Sequence, residues 1–336
     1  MSKLRNDTFD KISGVLILWM IIYHAFGWGE LKASIIYNVL LKLLFFFIPW
    51  FYFKRGMFIK TNQKFSKTLQ KEVENLLVPM VVWMSVGYII VRLPELFNGN
   101  YSILKILLSP IFHLIKSGET VGNSSLWFLL SLFIAKMVMF LVLKLSIKNI
   151  AILSVGLLVL GAVFKNFNLV LPLGIHNLPL AIFFVCAGYL YNRLELMRKL
   201  NKRSLVILSI TFLALFFFYP SYVDFHVNQV FFGNYCLYVI NSLIGIILSI
   251  NIFRYIKSNS LAWIGEKSKV FLVLHWPVFQ LIKLLKVSNN YLYVFVLISV
   301  VAILSVLAAK FIPEKYLGLN NKKITNSIFF IKIIRD

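Results

Sequence analysis

Charge is scarce in this chain, and negative charge scarcest of all. Only 14% of its 336 residues are charged, against roughly a quarter in an ordinary soluble domain. There are 12 Asp and Glu against 35 Lys and Arg, so the formal net charge is +23. A water-soluble fold of this length would lack polar surface. Cysteine is nearly absent: Cys186 and Cys236 lie in apolar stretches without metal-ligand spacing, which excludes a disulfide framework or a cysteine metal cluster. There is no P-loop, dinucleotide fingerprint, His-Glu-x-x-His or Gly-x-Ser-x-Gly motif. Internal repeats and low-complexity tracts are missing as well.

What is present is apolar mass in long blocks. Hydrophobic residues make up 60% of the chain and Phe alone occurs 32 times; mean hydropathy is +0.84. Such blocks point to helices facing lipid rather than to one buried core. Spans are expected near 12–29, 35–53, 76–93, 126–146, 149–164, 177–192, 204–220, 234–253, 268–286 and 291–309. The fold class expected is therefore all-α, a polytopic membrane helix bundle of about ten transmembrane helices. The stretch 103–115 is shorter and reads as interfacial or re-entrant. With the N-terminus placed inside, 26 Lys and Arg fall on the inner side, seven outside, and Lys42 and Lys136 within spans. This asymmetry follows the positive-inside rule and predicts both termini cytoplasmic. Because topology accounts for the basic residues, no nucleic-acid partner is expected; the bilayer is. The first helix carries no small-residue cleavage site and reads as uncleaved. Residues 1–313 are expected to form a single transmembrane domain and 314–336 a basic cytoplasmic tail, whose apolar run Ile328 to Ile334 suits a membrane surface. Abundant Lys, Ile, Asn and Phe suggest AT-rich codons and a bacterial cell (inner) membrane.

The residue that most demands an explanation is His24, about 18 Å along the first span. Ionisable groups at that depth are costly and usually face a cavity, the alternative being a packing histidine bonded to a neighbouring helix. Residues eleven apart differ by about 20° around a helix, so Ser13 lies below His24, with Asp10 about 40° off that stripe and Lys11 turned away. Asp10, Ser13 and His24 thus form a polar stripe leading into the membrane. His275, beside Pro277, is a second intramembrane histidine, either functional or packed. Trp127 and Phe128 stand at an outer interface, as an aromatic belt or as the wall of a groove. Lys42 and Lys136 could snorkel or pair. His113, His176, Asp224 and His226 read as solvated.

At these residues the chain resembles the acyltransferase 3 family of membrane O-acyltransferases. Asp10 to Gly14 followed by His24 is similar to its first helix, and Pro49 to Phe53 with Gly56 to its second. Leu76, Leu77, Val78 and Pro79 resemble the entry to its third. Leu126 to Leu129 resembles its Trp-Phe-Leu motif, and Gly188–Tyr189 a later Gly-Tyr pair. Ile264, Gly265, Ser268, His275 and Pro277 resemble its penultimate helix. Three positions depart from the pattern: Ser13 stands where the family usually has Arg or Lys, Arg55 where it has Ser, and Asn75 where it often has Arg.

The resemblance implies transfer of an acyl group, usually acetyl, from cytoplasmic acyl-CoA to a hydroxyl of a cell-surface or lipid-linked carbohydrate. Acyl-CoA is then a co-substrate, no cofactor or metal is permanently bound, and His24 is the central residue, acting as base or as acylated nucleophile. Asp10, Ser13 and His275 would join it, with Trp127 and Phe128 on the acceptor. Lys60, Lys64, Lys67 and Lys71, spaced four, three and four apart, would share a helical face that either lies on anionic lipid or, with Arg55, clamps the CoA phosphates. A glycan or small-anion transporter or flippase, and a catalytically silent family member, are the competing readings. The acceptor and the oligomeric state are not inscribed in the sequence.

Overall fold

A lipid interior offers the backbone no water, so every N–H and C=O must be bonded within the chain, and a single-chain bundle does this with helices. In the computed structural model, which describes residues 7–60, 64–97, 103–196, 200–218, 234–285 and 289–319, every regular element is helical. The helices are α1 (Thr8–Trp28), α2 (Ile35–Leu44), α3 (Phe47–Met57), α4 (Phe65–Glu72), α5 (Val78–Phe97), α6 (Ile103–Ser117), α7 (Trp127–Val142), α8 (Ile147–Asn166), α9 (Leu178–Arg193), α10 (Lys202–Phe218), α11 (Tyr235–Ile252), α12 (Asn259–Glu266), α13 (Ser268–Lys283), α14 (Asn290–Phe311) and α15 (Glu314–Leu317). A π-helical segment, Val73–Leu77, joins α4 to α5.

Eight helical segments among the described residues are long and apolar enough to cross a bilayer. α10 and α13, with 17 and 16 residues, fall at the lower edge of that length, so a bundle of roughly ten helices stands. α1 and the 172–193 segment are central, with 72% of their apolar windows buried, whereas α8 is peripheral at 17%. The short 103–115 stretch is helical: α6 turns Leu104, Leu107, Leu108, Ile111, Phe112 and Ile115 outward. Residues 314–319, placed in the expected tail, pack onto α5, where Trp83 Nε1 donates to the Tyr316 carbonyl at 2.9 Å and Leu317 is buried. Ile328 to Ile334, Asp224 and His226 lie outside the described residues.

Prolines organise the bundle, because each withdraws a donor from the carbonyl four residues earlier. Pro49 cannot bond Phe45, and the second span breaks at Phe45–Phe46 into α2 and α3. Pro110 leaves the Ile106 carbonyl open, and Tyr88 Oη on α5 donates to it at 2.7 Å. Pro277 frees the Val273 carbonyl, which accepts from Asn123 Nδ2 at 2.9 Å. Pro79 does the same at Asn75, whose carbonyl faces Lys269 Nζ at 3.4 Å. The Ile106, Val273 and Asn75 carbonyls are thus each met by a side chain from another helix or loop.

Without a hydrophobic drive between helices in lipid, close approach through small residues holds the spans together. A Cβ at Gly56 would strike the Val185 carbonyl, and one at Gly188 the Phe53 carbonyl, so α3 and α9 cross on this glycine pair. In the same way Gly14 of α1 faces the Leu261 carbonyl and Gly265 the Asp10 carbonyl, which locks α1 onto α12. The four glycines noted in the sequence motifs therefore make two helix crossings.

Candidate active site

Between α1, α3, α7 and α13 lies a cavity of ≈ 100 Å³. α1 supplies Tyr23 and His24, α3 Phe47 and Phe51, the segment opening α7 Ser125, Trp127 and Phe128, and α13 Lys269 and Trp276. The lining runs from Ser268 and Lys269, at the start of α13, to Ser124 and Trp127, at the start of α7. It is mostly aromatic and aliphatic, with a few polar groups, as suits a binding pocket.

The His24 ring stacks on that of His275, with centroids 5.3 Å apart and planes 26° from parallel. Trp276 meets His24 edge-on at 5.4 Å, and Tyr23 does so at 5.1 Å. His275 is fully buried. Its Nδ1 lies 2.8 Å from the Leu272 carbonyl and 3.2 Å from that of Phe271. Both partners only accept, so Nδ1 carries the proton and Nε2 of the neutral ring is a lone pair. That Nε2 has no hydrogen-bond partner among the described residues.

The opposite wall is held by the loop before α7. Asn123, wholly buried, donates to the Val273 carbonyl freed by Pro277, and its Oδ1 accepts from Ser125 Oγ at 2.8 Å. Thr120 Oγ1 donates to the Asn123 carbonyl at 2.7 Å, and Gln280 Nε2 to that of Gly122 at 2.9 Å. These bonds tie the loop to α13 and fix the entry to α7, whose Trp127 and Phe128 share the cavity lining with His24. Both rings are at most 9% exposed, so they wall the cavity instead of forming a belt in lipid.

Asp10 and Ser13 are near neighbours on α1 but do not line this cavity. Lys54 Nζ of α3 lies 3.0 Å from Asp10 Oδ1 and 2.8 Å from Ser13 Oγ. Trp50 Nε1 also donates to Ser13 Oγ at 3.0 Å, while that hydroxyl donates to the Phe9 carbonyl at 2.9 Å. Ser13 therefore has every hydrogen-bonding position filled. A cation does stand at Ser13, but a different helix brings it. Asn75 shows the same substitution in space, since Lys269 sits at its carbonyl.

The four-lysine helical face does not form as expected. α4 begins at Phe65, so Lys60 precedes it and Lys64 is its N-cap; only Lys67 and Lys71 are helical, and all four are exposed. The sequence signal failed because a helix start cannot be read from spacing alone. Arg55 pairs with Glu72. His176, expected to be solvated, is 2% exposed: its Nδ1 accepts from the Leu171 N–H at 3.1 Å and closes the loop before α9. His113 is half-exposed beside Glu119 at 3.4 Å. Lys42 lies over the Phe216 ring at 5.7 Å. Lys136 is buried.

Residues 9–310 match the acyltransferase domain of the acyltransferase 3 family. The chain belongs to that family. Membership makes it a multi-pass membrane protein for which acyl transfer is the activity suggested. Among curated proteins and among solved structures, none matches the chain significantly. Sequence reasoning reached His24, His275, Trp127 and Phe128 but missed Trp276, Lys54 and Asn123. Asp10 was the available clue to Lys54, since a carboxylate on a membrane helix needs a cation.

Proposed function

We propose that this protein is a membrane O-acyltransferase that moves an acyl group, acetyl in the simplest case, from acyl-CoA to a hydroxyl of a cell-surface or lipid-linked carbohydrate. The observation that carries the reading is His24 lining a cavity within a family-matched bundle, stacked on a second histidine and sharing that lining with Trp127 and Phe128.

The chemistry fits the residues. The acceptor hydroxyl attacks the thioester carbonyl carbon as a neutral His24 imidazole takes its proton. The new C–O bond forms, the C–S bond breaks, and the proton passes to the departing thiolate. While His24 is protonated, the Trp276 and Tyr23 rings stand within 5.4 Å of it, and their π faces attract a cation. His275, held by the Leu272 carbonyl, keeps a fixed ring and is a positioning residue for His24. Trp127 and Phe128 offer the flat apolar surface on which a sugar ring stacks. Asp10, Ser13 and Lys54 brace α1 against α3 below the cavity. In this orientation the start of α13 faces the cytoplasm and the start of α7 the opposite side of a bacterial cell membrane.

The test is the O-acetyl content of surface glycan in cells carrying His24→Ala at normal protein level. Loss of acetylation is expected; unchanged acetylation rejects the catalytic role. Transport is separated from transfer by labelled acetyl-CoA in membranes: covalent label on glycan is expected here, and a transporter gives none.

A further inference from the structure

Below the cavity the bundle holds more positive charge than it can neutralise. Glu72 of α4 is 4% exposed and touches Arg55 of α3. Lys71, Arg55 and Glu72 are within electrostatic range of both Lys136 of α7 and Lys269 of α13. Four cations from four helices thus share the field of one carboxylate, which pairs directly with Arg55. Lys136 is 6% exposed, yet it makes no hydrogen bond or salt bridge among the described residues. Arg55 Nε is buried and likewise has no hydrogen-bond partner among them. Lys269 has only a long contact to the Asn75 carbonyl, and it lines the cavity that holds His24. Lys71 is exposed at the rim.

Burying unpaired cations in a membrane bundle is expensive and marks a place where an anion is meant to arrive. Planar guanidinium and several ammonium groups converging from different helices suit phosphate oxygens.

We propose that Arg55, Lys71, Lys136 and Lys269, arranged around Glu72, form a buried phosphate site that holds the phosphates of the acyl donor beneath the His24 cavity. The donor's identity rests on the acyl-transfer reading; the phosphate chemistry does not. The site differs from a surface clamp on Lys60, Lys64 and Lys67, which point into solvent.

The probe is adenosine 3′,5′-bisphosphate, which carries phosphates without an acyl arm, titrated into the full-length protein in uncharged detergent. Lys136→Met and Lys269→Met are each expected to weaken binding about tenfold to a hundredfold, the worth of one charge-assisted hydrogen bond. The double variant Lys64→Ala, Lys67→Ala is expected to bind as the parent does. Lys136→Met is also expected to raise the melting temperature of the unliganded protein while abolishing the rise on adding the bisphosphate. That pattern separates a ligand-facing cation from a structural one, and Lys136→Arg should restore the response. Unchanged affinity in both methionine variants overturns the site, as does a lowered unliganded melting temperature in Lys136→Met. Stabilisation by phosphatidylglycerol nanodiscs but not by the bisphosphate overturns the donor assignment in favour of a lipid headgroup. If the bisphosphate binds as expected and no acyl-CoA supports transfer, the site stands and the acyl-transfer reading fails.

Discussion

Replacing Asn123 by Ala tests the most specific piece of reasoning about this fold. Asn123 is wholly buried and fills the acceptor that Pro277 leaves open at Val273, through a 2.9 Å bond. It also accepts from Ser125, which retains a second, longer contact of 3.4 Å to the Leu272 carbonyl. Truncation strands the Val273 carbonyl in a dry interior at a cost of about 1–3 kcal/mol, and weakens the Ser125 hydroxyl's bonding by about 1 kcal/mol more. A loss near 3 kcal/mol is therefore expected for the two bonds together, more than the about 1–2 kcal/mol of a single polar contact between membrane helices. The Pro277→Ala change supplies an N–H to the same carbonyl. In that background the cost of Asn123→Ala should fall by about 1–2 kcal/mol. The assay is a double-mutant cycle on purified protein by reversible denaturant unfolding in mixed micelles. A coupling energy indistinguishable from zero refutes the claim that Asn123 answers Pro277. A loss confined to the single variant, with acyl transfer recovering in the double, would also tie this bond to the cavity wall.

Other outcomes follow from the same geometry. Gly56→Ala drives a methyl into the Val185 backbone and should destabilise by about 3 kcal/mol or more, whereas Gly156→Ala, with nothing within 4 Å, should be neutral or stabilising by up to about 1 kcal/mol; thermal unfolding compares them. Lys54→Met leaves Asp10 without its α3 cation and should lower both stability and transfer; adding Ser13→Arg should recover part of each, and no recovery argues against a shared role for the two positions. His24→Gln should cut transfer about 10²- to 10⁴-fold with little change in melting temperature, measured as label moved from acyl-CoA to glycan.

Much of the architecture was legible before any coordinates. Each of the ten apolar blocks coincides with described helix, within a few residues at most ends. Departures come where packing intervenes: the break at Phe45–Phe46, and the continuation of the third span back through the π segment to Phe65. In the site, His24 was visible because a histidine at membrane depth is conspicuous, and Trp127 and Phe128 because they carry a motif. Lys54 was hidden among ordinary inner-side lysines, and Asn123 among loop residues. His176 was misjudged because the loop before α9 folds inward, which its own composition does not announce.

The sequence by itself determined that this is a helical membrane protein, where its spans lie, and which carbonyls its prolines would leave open. These follow from local rules: hydropathy, helical period and the missing proline N–H act over a few residues. Only the tertiary structure decided which side chain would meet each open carbonyl, that Lys54 would stand at Ser13, and that four cations would gather around Glu72. Those outcomes depend on how helices far apart in the chain cross, and the crossings are set by glycine contacts, such as Gly56 against Val185 and Gly188 against Phe53, that no local pattern specifies.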